Sequence, residues 1–251
     1  MLRPGDVSNY GIWRRGDLDY IARPVINLVC LLIIVIWLTI ICVIVPLRRT
    51  SNTDLKKAAL PLTLFFASIG TGFMMVEVSQ MQRLIVFLGH PTYSLTTVLF
   101  SLLVSSGIGS FLSERVTGAI KVRWTVLWFA VMVGTLVAFG TITPKIIRLM
   151  QTQPTTDRIL VAVGLLAPVG LVLGTAFPLG MNLAKTSSDG LAPWLWGING
   201  ATSVCASVLT VLIGMNWGIS TSFWIGCCAY IIAALSFLWA LSKVKQERSF
   251  S

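Results

Sequence analysis

Apolar runs long enough to cross a bilayer recur along this chain, and short basic clusters separate them. The hydrocarbon core of a membrane is about 30 Å thick, so a crossing helix needs about 20 predominantly apolar residues. Inside lipid every backbone N–H and C=O must be bonded within its own segment, which leaves the helix as the spanning form for runs like these. The expected fold class is therefore all-α: a polytopic membrane helical bundle of about seven transmembrane helices. Composition agrees, with 11% charged residues against about 25% in a soluble domain, and a mean hydropathy of +0.85.

Taken in order, residues 1–24 form a polar N-terminal segment, 25–47 a leading helix, 57–243 a six-helix membrane domain and 244–251 a polar C-terminal tail. Residues 1–24 are not a signal peptide: the polar stretch is too long, and the run that follows has span length. They look like the tail of a longer chain. The leading span, Val25 to Val45, covers about 21 residues, or roughly 32 Å of helix. The next apolar run continues from Ala58 to about Leu88, longer than one crossing. It reads as a span to Val78 extended by a partly interfacial helix, broken at Gly89-His90-Pro91 because a residue before proline disfavours helix. Further spans are expected over about 93–112, 124–142, 158–179, 193–215 and 220–241. The longest connection is expected at Thr143–Asp157, with Lys145–Met150 as a short interfacial helix. Small residues (Ser105, Ser106, Gly107, Gly109 and Ser110, then Gly170 and Gly174, then a small face on the sixth span) predict close helix approach.

The net charge of +10 does not point to nucleic acid, because the basic residues sit at span ends, where anionic headgroups lie. The loops after spans one, three and five, with the C-terminal tail, hold eleven basic residues against seven on the other side. That bias predicts the N-terminus outside and the C-terminus in the cytoplasm. All five cysteines lie in apolar runs without metal-ligand spacing and read as small core residues. No phosphate-binding loop, nucleophile elbow or metal motif occurs, so no cofactor is expected.

The candidate polar cluster is Glu77, Gln80, Gln82, Arg83, His90, Asn182 and Asn199. Glu77 and Gln80 are three apart and share a helix face, while Gln82 and Arg83 point elsewhere. Glu77 therefore needs a partner from another helix, and Asn199 and Asn182 are the neutral candidates. Polar groups at this depth are expensive unless paired or used. Glu77 is then either a proton or cation site, or glue between helices, with Arg83 reaching toward phosphates. His90, the only histidine, reads as a loop-shaping residue. An enzyme using Glu77 and His90 is a further reading, and it requires a third polar group within reach of both.

Three stretches together resemble a known family. GTGFMMVEVSQMQRLIVFLGHPTYSLTTVLFSLLVSSGIGS, GTAFPLGMNLA and PWLWGINGATSVCASVLTVLI are similar to the membrane region of bacterial spermidine synthase-like proteins. In these proteins a helical membrane region is joined to a Rossmann-type aminopropyltransferase or methyltransferase domain. The resemblance covers about residues 60–230. It implies a half-facilitator-like six-helix bundle in the bacterial inner membrane. It also implies an S-adenosyl-dependent transferase domain or subunit as partner, and a chain that is itself the non-catalytic membrane module. The alternative is a small secondary transporter of amines or other small solutes working as a homodimeric half-facilitator bundle.

Overall fold

The structure is a computed structural model that describes residues 26–41, 53–116, 122–187 and 191–250. Among these it contains eight helices and no strand: α1 (Ile26–Ile41), α2 (Thr53–Leu88), α3 (Pro91–Val116), α4 (Val122–Met150), α5 (Thr155–Gly174), α6 (Ala176–Ser187), α7 (Ala192–Trp217) and α8 (Ile219–Phe250). The protein is an all-α polytopic membrane bundle. Six segments are long and apolar enough to cross, with α5 and α6 together making one of them. The described part of the leading helix, α1, is 16 residues long and touches α7 where Thr39 Oγ1 lies 3.4 Å from Cys205 Sγ. The polar segment 1–24, Cys42 and the Arg48/Arg49 cluster lie outside the described residues.

The helices are organised around α2. It packs along both α7 and α8 and touches α3, α5 and α6. Its span is 61% buried, against 22% for α7. Lipid supplies no hydrophobic drive between helices, so shape complementarity carries the packing. Phe65 of α2 meets Phe66, Phe129 and Phe237 edge-to-face at ring-centroid distances of 5.3–6.3 Å, and the latter two contacts tie α2 to α4 and α8. Glycine lets them close: a side chain at Gly180 would run into Phe65 and Phe66.

Three short connections join the helices at one end of the bundle. Gly89-His90 separates α2 from α3, with Gly89 at φ 78° and Pro91 opening α3 as expected. Gly218, at φ 94°, separates α7 from α8. Only glycine adopts such angles without strain. The third connection, expected to be the longest, is only residues 151–154, because α4 continues through Pro144 to Met150. Lys145–Met150 is therefore the end of α4 and not a separate interfacial helix. Proline costs a membrane helix one donor, and close neighbours absorb the loss.

The polar stretch of α2 departs from expectation too. The helix does not pass onto a surface after Val78. Glu77, Ser79 and Gln80 are buried, and the whole of Leu60–Leu88 counts as one span. Its end is fastened from outside, since Arg158 Nη1 donates to the Phe87 carbonyl at 2.7 Å and Nη2 reaches Thr155 Oγ1 at 3.4 Å. The last carbonyls of a helix lack intrahelical donors, and a guanidinium also suits the negative end of the helix dipole. Arg158→Met should destabilise the protein by about 1.5–3 kcal/mol, the usual worth of a hydrogen bond to a charged group. Thermal unfolding in detergent, followed by tryptophan fluorescence, checks this; an unchanged midpoint would show that the cap contributes nothing.

Candidate functional site

The α3–α5 pair forms one wall of the site. Leu102, Ser105, Ser106 and Gly109 share a face of α3 and meet Gly170, Leu171 and Gly174 of α5 with almost no side chain between them. A Cβ at Gly109 would strike the Leu171 carbonyl, and one at Gly174 the Ser106 carbonyl. Ser105 turns its hydroxyl back onto the Ser101 carbonyl at 2.5 Å, so it presents no unsatisfied group to the contact. This is the close approach that the small residues predicted.

A second local feature shapes the site. Pro178 has no N–H to give to the Gly174 carbonyl four residues earlier, and the helix breaks at Thr175. Thr175 N–H bonds to Val172 O at 3.3 Å, three residues back, and helical bonding resumes with Leu179 N–H to Thr175 O at 3.2 Å. Trp128 Nε1 fixes the break by donating to Thr175 Oγ1 at 2.7 Å. Trp128 is thus a structural clamp.

Between this break and α2 lies a cavity of about 300 Å³. Its lining comes from Ile69, Gly70 and Phe73 of α2, Ser106, Gly107 and Ser110 of α3, Leu173 and Gly174 of α5, Ala176 and Phe177 of α6, Asn199 and Ser203 of α7, and Tyr230 of α8. Leu103, also in the wall, is 60% exposed, Gly107 is exposed, and Ser106 is half-buried. The mouth therefore lies between α3 and α7, which meet at most marginally. Gly70 stands ten residues from Leu60, roughly 15 Å along the helix, which puts the cavity near mid-span. Asn199 Nδ2 bonds the Phe66 carbonyl at 3.0 Å, and Gly70 lets the two helices touch there.

The seven candidate residues do not converge. Only Asn199 lines the cavity. Glu77 lies one turn beyond Phe73 on α2, is 5% exposed, and has no hydrogen-bond partner among the described residues. Asn199 and Asn182 do not serve it: the former is used at Phe66, and the latter sits half-buried on α6 with no hydrogen bond to the carboxyl. Gln80 is buried, with one long contact to Ser79 Oγ at 3.4 Å. Gln82 packs its amide against Gly214, and Arg83 reaches Ser220 Oγ at 3.3 Å and lies 5.8 Å from the Phe223 ring centroid. Its Nη1 is buried without a partner. The expected divergence of Gln82 and Arg83 from Glu77 holds. His90 is exposed in its turn, its ring 5.7 Å from Tyr93, while its carbonyl accepts the Ser94 N–H. Glu77 lies eleven residues before Leu88, roughly 16 Å along α2, so the two do not meet and the enzyme reading that joined them loses its site.

The residue missed is Tyr230. It is 1% exposed, lines the cavity and has no hydrogen-bond partner among the described residues. One edge of its ring lies against Gly72, and Glu77 is within electrostatic reach of it. Its position was the available signal: tyrosines in spans favour the interfaces, and this one stands eleven residues inside a span that begins at Ile219. Among the described residues no group of three His, Cys, Asp or Glu could hold a metal. No family model, curated protein or solved structure matches this chain.

Proposed function

We propose that this chain is a solute-holding membrane module that takes a small amine or apolar compound into the α2–α3–α6–α7 cavity. In the arrangement implied by the spermidine synthase-like resemblance, it presents that compound to an S-adenosyl-dependent transferase domain or subunit. The bias of basic residues toward one face orients the module with its C-terminus in the cytoplasm of a bacterial cell. The supporting observation is the mid-span cavity itself, at the small end of the size range of ligand pockets and walled by six helical segments. A ligand that binds only the folded state raises its unfolding temperature. A panel of polyamines and apolar alcohols should therefore contain at least one stabilising compound; no shift across the panel sinks the reading. The partner half depends on the neighbouring reading frames, and the absence there of any S-adenosyl-binding domain would remove it.

Glu77 supports a second reading, transport by two such bundles facing each other across the open α3–α7 side. A buried carboxylate without partners, one turn from a solute cavity, is the kind of intramembrane group that couples solute movement to protons. Uptake of labelled spermidine into proteoliposomes should depend on an imposed pH gradient, and Glu77→Gln should abolish that dependence. A correctly folded Gln variant with undiminished flux would refute transport through Glu77.

A further inference from the structure

The cavity wall carries no Asp, Glu, Lys or Arg. Its polar groups are also unevenly committed. Ser106 and Ser203 give their hydroxyl protons to the carbonyls of Leu103 and Asn199, at 3.2 and 2.8 Å. Ser110, half-buried, and Tyr230 make no such bond among the described residues, and of the two only Tyr230 offers its O–H from a side chain that is 99% enclosed. Opposite in function stands the Gly174 carbonyl, which Pro178 deprives of its helical donor. A buried donor without a partner, and an acceptor in a half-buried residue that no backbone N–H bonds among the described residues, each cost free energy, and a bound group that satisfies both recovers it.

We infer that the cavity takes an uncharged amphiphile carrying a hydroxyl group, which enters sideways from the bilayer between α3 and α7. A hydroxyl accepts from Tyr230 and donates to Gly174 at once. The apolar part lies against Ile69, Phe73 and Phe177, and the exposed rim at Leu103 and Gly107 faces the membrane core. A protonated amine would enter a wall with no counter-charge at mid-bilayer depth, where a charge is expensive. The inference rests on the reading that the cavity holds a solute and narrows that solute to one chemical class.

The test uses the full chain in phosphatidylethanolamine–phosphatidylglycerol vesicles and three photoactivatable diazirine probes of equal chain length: an alcohol, a methyl ether and a primary amine. The alcohol should label peptides around Leu103–Gly107 and Asn199–Ser203, and unlabelled alcohol should compete the labelling away. The ether, which lacks the donor, should label about fivefold less, the equivalent of one hydrogen bond of about 1 kcal/mol. Tyr230→Phe should reduce alcohol labelling by a similar factor. The ether comparison is made on the unaltered protein, so it stands even if that variant folds poorly. Equal labelling by alcohol and ether, or better labelling by the amine, overturns the hydroxyl inference while the solute-holding reading survives. Labelling by no probe above the lipid-facing background overturns both.

Discussion

Gly174→Ala should destabilise the bundle by at least about 2 kcal/mol, the upper part of the range for overpacking a tight interior. The added methyl would meet the main chain of Ser106, at its carbonyl and Cα, and not the end of a flexible side chain. Backbone cannot rotate away, so α3 and α5 would have to separate along their length. Gly109→Ala should behave alike, because its methyl meets the Leu171 carbonyl. Gly107→Ala provides the internal control: nothing lies within 4 Å of its added carbon, and alanine's better helix propensity should leave stability unchanged or raise it by up to about 1 kcal/mol. Thermal midpoints of the three variants in one detergent decide the matter. Equal effects at Gly174 and Gly107 would mean that the α3–α5 contact is looser than described.

Glu77→Met should move stability the other way, upward by about 1–3 kcal/mol, the scale of relieving one unsatisfied buried polar group. The carboxyl has no hydrogen-bond partner among the described residues, so its removal breaks no bond, and methionine fills an irregular space with little strain. If Glu77 were glue between helices, the same substitution would destabilise. Denaturant unfolding of the Met and Gln variants beside the unaltered protein separates the cases. Gain of stability with loss of pH-dependent uptake would mark a residue kept at a cost for its function. Loss of stability would return Glu77 to a purely structural role.

How far the sequence could be read depended on whether each feature acts locally. Six of the seven expected spans, the turn at Gly89-His90-Pro91 and the small-residue seam of α3 with α5 follow from hydropathy and steric size along one helix and appear in the structure, whereas the small face expected on the sixth span stays open at Gly197 and Gly200. The positions that need a neighbour could not be read. Pro144 resembles a breaker, yet α4 carries it within a helix of 29 residues. Arg158 looked like the basic start of a span, but its guanidinium crosses to a helix end 71 residues earlier. The polar cluster resembles one site because five of its seven members lie between Glu77 and His90. Helix phase sends Gln82 and Arg83 toward α7 and α8, and the turn isolates His90. The cavity instead gathers residues from six helical segments, and its partnerless phenol comes from the last of them.

The contact between α3 and α5 also has a mechanical meaning. Two main chains in direct touch are close to incompressible, so that wall keeps its shape whatever occupies the space beside it. On the α7 side, Gly70 brings α2 into similar touch at Asn199. The part of the wall with a break in its own helix is α6, a segment of only 12 residues whose continuity with α5 is interrupted at Thr175. Any swelling or collapse of the chamber must be expressed as a tilt of that short segment, with Phe177 moving as its tip.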